Sequence, residues 1–221
     1  MHSRFLILLS SFVASLATPA PGIDAHAVTI QRFPISNPEV GDLGDAMSHF
    51  KANHTDKIKD VFLGVIEGSP LLAEQIFVWH SPEDSKMDFA TPFLPFSTTG
   101  ALNVSATGLL QNETTINNSL HAPITETIVQ DVAPGVDLKE FQAVSDALCV
   151  KIWGYSGATG CSIGYEYDGD RRVVLIGWQS KEAIANWLPS ADNETLALFD
   201  QVKKSVVGTI MPIDKQIVQL P

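Results

Sequence analysis

The stretch IFVWHSPED, residues 76–84, sets His80 beside Trp79 at the end of an apolar, strand-like run. Alternation along a strand places His80 on the face of Ile76 and Val78. An imidazole titrates near neutral pH, so on a cavity wall His80 could take a proton from a phenol or enol, or orient one. The competing reading is a partly exposed histidine at a strand end. Around this candidate catalytic residue, His49, Trp79, Tyr165, Tyr167 and Trp178 are candidates to line a ligand pocket. His49 falls near the apolar stripe of a helix. Tyr165 and Tyr167 share a strand face with Cys161 and Ile163 and could donate to a carbonyl or enolate oxygen. Glu67, Asp131 and Glu166 lie in strand-like segments, as cavity bases with raised pKa values or as exposed strand ends.

The W-x-S-x-E spacing of Trp79, Ser81 and Glu83 recurs at Trp178, Ser180 and Glu182. Each serine stands between a strand and a helix, where its hydroxyl can cap free backbone N–H groups. Pro82 suits a first helical position, and Asp84 and Glu182 place negative charge in a first turn. The repeated motif therefore reads as fold grammar. His80 is outside the repeat, because the matching residue is Gln179.

Other chemistries lack their residues. GYSGATG, residues 154–160, puts Ala158 where a nucleophile elbow needs glycine, and it follows a helix instead of a strand. No phosphate-binding or dinucleotide fingerprint occurs, and the histidines lack metal-ligand spacing, so no metal is expected. The two cysteines, Cys149 and Cys161, most simply form one disulfide, with a reactive thiol as the alternative.

These residues must be positioned by elements that occur twice. Strand-like segments begin each half at 27–35 and 125–132. Each is followed by a helical pattern, within 40–62 and 136–152, and then by second strands at 62–69 and 160–168. Third strands follow at 74–81 and 171–180, with Asp168-Gly169-Asp170 as a hairpin turn. Helices follow at 82–90 and 181–188, and a helical pattern resumes near 191–207. The segment 208–220 is a candidate closing strand, and its first-half counterpart must lie within 91–120. The order β-α-β-β-α-β is the ferredoxin-like unit. Val173 to Trp178 is apolar on both faces, as a strand needs between helices and a second sheet. The chain thus divides into a first half at 27–100, a glycosylated joint or edge strand at 101–122, and a second half at 123–221.

Residues 1–17 have the basic, apolar and small-residue layout of a signal peptide, which predicts secretion. Sequons at Asn53, Asn103, Asn112, Asn117 and Asn193 agree with that route. A net charge of −11 without a basic cluster argues against nucleic acid and against a membrane surface once the signal is cleaved.

The segment from Thr125 to Leu188, with its hairpin turn, its strand ending in Trp178, and its Ser180-Lys181-Glu182-Ala183 helix start, resembles a domain of the antibiotic-biosynthesis-monooxygenase type. The first half matches more loosely. The resemblance implies an α+β fold in which tandem ferredoxin-like halves pack sheet to sheet as an intramolecular dimeric α+β barrel, so that one chain is a monomer by internal pairing. It also implies small-molecule binding. That could extend to cofactor-independent monooxygenase or polyketide-cyclase-like chemistry of secondary metabolism on an aromatic substrate, with no cofactor. A non-catalytic secreted glycoprotein that binds a ligand or partner is the alternative, since the fold hosts many functions.

Overall fold

The computed structural model describes residues 25–34, 40–65, 72–86, 104–167, 170–207, 213–215 and 217–219. The first half runs β1 (Ala25–Pro34), α1 (Val40–Asn53), β2 (Ile58–Val65), β3 (Leu72–Trp79) and β4 (Val104–Gln111). A helix α2 (Glu113–Leu120) leads to β5 (Ile124–Val132), α3 (Leu138–Trp153), β6 (Ala158–Tyr165) and β7 (Arg171–Trp178). Helices α4 (Lys181–Trp187) and α5 (Asn193–Lys204) precede the short strands β8 (Val206–Val207), β9 (Ile213–Lys215) and β10 (Ile217–Gln219). All described strand pairs are antiparallel, in the order β10-β2-β3-β1-β4-β6-β7-β5-β8, with β9 also on β5. Because β9 and β10 are consecutive pieces of the chain, they join β5 to β2 and close the order into a ring. The expected tandem barrel is therefore present, with the last strand of each half paired to the second strand of the other.

Alternation explains the layers. Residues such as Val28, Ile30, Phe62, Ile76, Val78, Val173 and Leu175 form one buried cluster between the two sheets. The opposite faces pack under helices: Phe33, Val61, Leu63, Phe77 and Trp79 against Met47 of α1, and Val174, Ile176 and Trp178 against Phe141, Leu148 and Ile152 of α3. Polar side chains cap the second-half helices as the sequence predicts. Ala183 N–H donates to Ser180 Oγ at 3.2 Å on α4, and Thr195 N–H donates to Asp192 Oδ1 at 2.7 Å on α5. In the first half Asp84 N–H donates to Ser81 Oγ at 3.2 Å, but the described helix there is a single 3-10 turn, Asp84–Lys86.

Several boundaries differ from expectation. The first helix ends at Asn53, and β2 begins at Ile58, because Lys57 and Ile58 N–H both turn back onto His54 O. The joint at 101–122 is not an edge. β4 pairs with β1 on one side and with β6 on the other. Its Ser/Thr/Asn-rich continuation is α2, which lies on the barrel side of β6 and β7, with Thr115, Ile116, Ser119 and Leu120 buried. Two glycines make room: a Cβ on Gly160 would stand 2.7 Å from Thr115 O, and one on Gly177 would stand 2.7 Å from Ser119 Cα. The polar composition is used inward, through Thr115 Oγ1 with Ser162 Oγ at 2.6 Å and Thr125 Oγ1 donating to Ser119 O at 2.8 Å. The signal-peptide segment 1–17, Asn103 and the hairpin tip at Asp168-Gly169 lie outside the described residues.

A buried ion pair sits between the sheets. Arg32 Nε donates to Glu74 Oε2 at 2.6 Å, with the two side chains 3% and 0% exposed. Arg32 also reaches across to Thr127 of the other half, at 3.2 Å to its carbonyl and 3.1 Å to its hydroxyl. Removing one partner of such a pair strands the other charge, which costs about 3–5 kcal/mol. Glu74→Ala should therefore lower the unfolding free energy in urea by that amount. Thr127→Val should cost less, about 1–3 kcal/mol. A Glu74→Ala loss below that of Thr127→Val would show that the pair does not hold the sheets together.

Candidate functional site

The structure separates the residues singled out by the sequence. Ile76 and Val78 do face the barrel interior, but the β3 ladder ends at Trp79 paired with Ile58. His80 lies beyond it, exposed, with its backbone N–H on Lys57 O and its Nε2 3.2 Å from Thr55 O. It therefore stands on the rim and not on a cavity wall. His49 is exposed on α1. Tyr167 is past the end of β6 and exposed; its hydroxyl meets Pro82 O and Ser85 Oγ, clasping the second-half hairpin to the first half. Trp79 and Trp178 are buried on the helix-facing sides, away from the barrel interior. Of the strand acids, Asp131 is exposed and paired with Arg171 at 2.8 Å, and Glu166 accepts from Thr107 N–H at 3.1 Å. Glu67 lies outside the described residues.

Trp79 and Trp178 nonetheless give a register for comparing the halves. Each indole N–H donates to the first strand of its own half: Trp79 to Thr29 Oγ1 at 2.9 Å, and Trp178 to Glu126 Oε2 at 2.7 Å. Stepping inward from this anchor, the next helix-facing register pair is Gln31–Gln75 in the first half and Ile128–Val174 in the second. The pair after that is Phe33–Ala73 in the first half and Gln130–Arg172 in the second. An apolar pair satisfies the fold at each level in one half, so the polar pair in the other half is not demanded by the fold.

Tyr165 is the one pocket candidate that joins such a polar group. Arg172 is 4% exposed under α3. Its Nη1 donates to Gln130 Oε1 at 2.8 Å, and its guanidinium lies 5.9 Å from the centre of the Phe141 ring. Arg172 Nε, the Tyr165 hydroxyl and the Ser145 hydroxyl are all buried without a well-formed hydrogen bond, the two hydroxyls lying close enough for Ser145 to act on the Tyr165 phenol. Burial pulls Arg172 down to about 10, against the pull of Tyr165 and Asp146, so it remains a cation at neutral pH. Burial also pushes the Tyr165 phenol up, with Ser145 and Arg172 opposing, so it stays a neutral donor. Asp146, exposed on α3, has its carboxyl raised by partial burial and lowered by Arg172. Three donors and one buried positive charge under a helix suit an oxyanion: a carboxylate, phenolate or enolate.

The disulfide of Cys149 and Cys161 is present, with Cα atoms 5.6 Å apart. It staples α3, which carries Ser145, to β6, which carries Tyr165. A loop of this size contributes on the order of 3 kcal/mol in the chain-entropy model. Arg172 and Ser145 escape a motif search because their neighbours form no known pattern. The available signal is alternation: Arg172 shares a face with Val174, Ile176 and Trp178, where a charge has no solvent. No three His, Cys, Asp or Glu side chains among the described residues are grouped to hold a metal.

Neither a protein-family model nor a curated protein matches the chain. Solved structures do. A structure described as an anthrone oxidase-like protein superposes with a TM-score of 0.63 at 17% identity, covering 88% of this chain and 92% of that one. A candidate monooxygenase from Fusobacterium nucleatum gives 0.60 at 13% identity, over 89% and 93%. A candidate monooxygenase from Lactobacillus acidophilus gives 0.56 at 12% identity, over 90% and 95%. At these identities the shared property is the fold: two ferredoxin-like halves, closed into one dimeric α+β barrel.

Proposed function

We propose that the protein is a secreted binder of a small aromatic molecule, whose acidic oxygen docks on Arg172, Tyr165 and Ser145. The observation that carries this reading is the trio of buried donors without well-formed hydrogen bonds, at a level where the first half manages with Phe33 and Ala73. Burying a cation without a full set of acceptors costs stability, and a bound oxyanion would offset it. The aromatic residues Tyr155, Trp178, Trp187 and Phe199 pack edge-to-face or tilted at centroid distances of 6.2–6.4 Å and suit a ring system.

The likeness to an anthrone oxidase-like protein and to candidate monooxygenases supports a catalytic form of the same reading. An anthrone that loses a proton becomes an enolate, the state such a site stabilises. Dioxygen would then oxidise the ring CH2 to C=O, one oxygen atom being kept and the other leaving as water with the two hydrogens. This needs no cofactor; cyclisation through the same enolate is the related possibility. Secretion, with cleavage after Ala17 and glycans on the sequons, belongs to the proposal. Asn53, Asn112 and Asn193 are exposed and Asn117 is half-buried, which suits the first three best. Internal pairing of the halves supports a monomer.

Four outcomes are expected. Benzoate should bind the wild type and bind Arg172→Met at least tenfold more weakly, while that variant melts about 2–4 °C higher because a buried charge is gone. Wild-type affinity should stay level between about pH 6 and 9 and fall above about 10, where Arg172 loses its proton. Equal benzoate affinity in the variant would remove the site from the proposal. With anthrone under air, protein-dependent oxygen uptake that is lost in Arg172→Met would establish the catalytic form, and binding without uptake would leave the binder. Expression in a eukaryotic secretory host should deliver glycosylated protein to the medium with its N-terminus at Thr18; an unglycosylated intracellular product would rule out secretion.

A further inference from the structure

The helix-facing side of the first half holds a second set of buried polar atoms, independent of the oxyanion site. Gln31 on β1 and Gln75 on β3 are register partners, 1% and 0% exposed. Gln75 Nε2 donates to Gln31 Oε1 at 2.5 Å. Gln31 Nε2 and Gln75 Oε1 are left buried without a partner. Turning both amides over exchanges their roles and still leaves one donor and one acceptor.

Among the described residues no side chain bonds these two atoms, and Ser105 of β4 stands in register beside Gln31. Leu63 stands in register beside Gln75, and Phe33 and Ala73 occupy the next level. The threonines one level away are already engaged: the Thr29 and Thr107 hydroxyls bond each other at 2.8 Å, and Thr29 also accepts the Trp79 indole. The fold does not require glutamines here, since Ile128 and Val174 fill the matching positions of the second half. Two buried amides with one unmet donor and one unmet acceptor, beside Leu63, Phe33 and Ala73, form a recognition edge.

We propose that Gln31 and Gln75 form a ligand site for a neutral molecule carrying an adjacent acceptor and donor on one edge, as a lactam does. Gln31 Nε2 donates to the ligand carbonyl, and Gln75 Oε1 accepts the ligand N–H. The two halves then read different chemistry from equivalent faces: a neutral lactam edge in the first and an oxyanion in the second.

The probe is 2-pyridone, titrated calorimetrically into the full chain, with N-methyl-2-pyridone as the analogue lacking the donor. The wild type should bind 2-pyridone at least tenfold more tightly than the N-methyl analogue. Gln31→Ile combined with Gln75→Val copies the second half's pair and should fold as well as the wild type. It should lose that tenfold preference while keeping benzoate binding, and Arg172→Met should show the reverse. If the double variant does not fold, Gln75→Met alone serves the same comparison. Equal binding of the two pyridones, undiminished 2-pyridone binding by the glutamine variants, or no saturation up to the solubility limit would overturn the proposal and leave the amides as a site for water only.

Discussion

The structure depends on the closure of two four-stranded sheets into one ring. Neither half is complete alone, because β4 has its outer edge covered by β6 and the edge of β2 is covered by β10. A free edge of this length would otherwise be open to pairing with another chain. Closure also sets two apolar sheet faces against each other, with a Cβ on Gly108 only 2.7 Å from Val173 Cβ across the gap. The buried pair of Arg32 and Glu74, tied to Thr127 of the opposite sheet, has a partner on each side only in that arrangement. Such a pair adds less to stability than apolar packing would, but it penalises any other alignment of the halves.

Closure decides where ligands can go. The space between the sheets is taken by the apolar cluster, by the ion pair and by Ile116 and Leu120 of α2. The sheet faces under the helices are different. Each keeps an apolar floor, and each has one level at which polar side chains replace it without full hydrogen bonding. Duplication makes this visible, since each half is a control for the other: what one half satisfies with Phe33 and Ala73, the other replaces with Gln130 and Arg172.

The sequence carried the frame better than the site. Trp79 and Trp178, each at the end of a strand apolar on both faces, announced the duplication and the two-layer burial, and Ser180 announced its helix. The first half's fourth strand falls within the expected 91–120, as β4, but α2 behind it is not legible because Ser, Thr and Asn usually mark surface. In α2 those hydroxyls bond inward, against glycines on β6 and β7, which composition does not reveal. His80 drew attention because a histidine next to a tryptophan at a strand end matches a familiar catalytic setting. One residue of ladder decides the matter: pairing stops at Trp79, and the imidazole turns to solvent.

Arg172 shows why the chemistry was harder to find than the fold. A catalytic motif is short because its residues are neighbours in sequence, whereas Ser145, Tyr165 and Arg172 come from a helix and two strands. They meet because the disulfide pins α3 to β6 and because the hairpin sets Tyr165 in register with Arg172. Each constraint is long-range, so each residue alone looks ordinary. What distinguishes them is unmet hydrogen-bonding capacity in a place that water does not reach, which is a property of the folded chain. A duplicated fold that carries this cost once in each half, at different levels and with different polarity, holds two faces that have diverged in their unmet hydrogen-bonding capacity while sharing the frame that positions them.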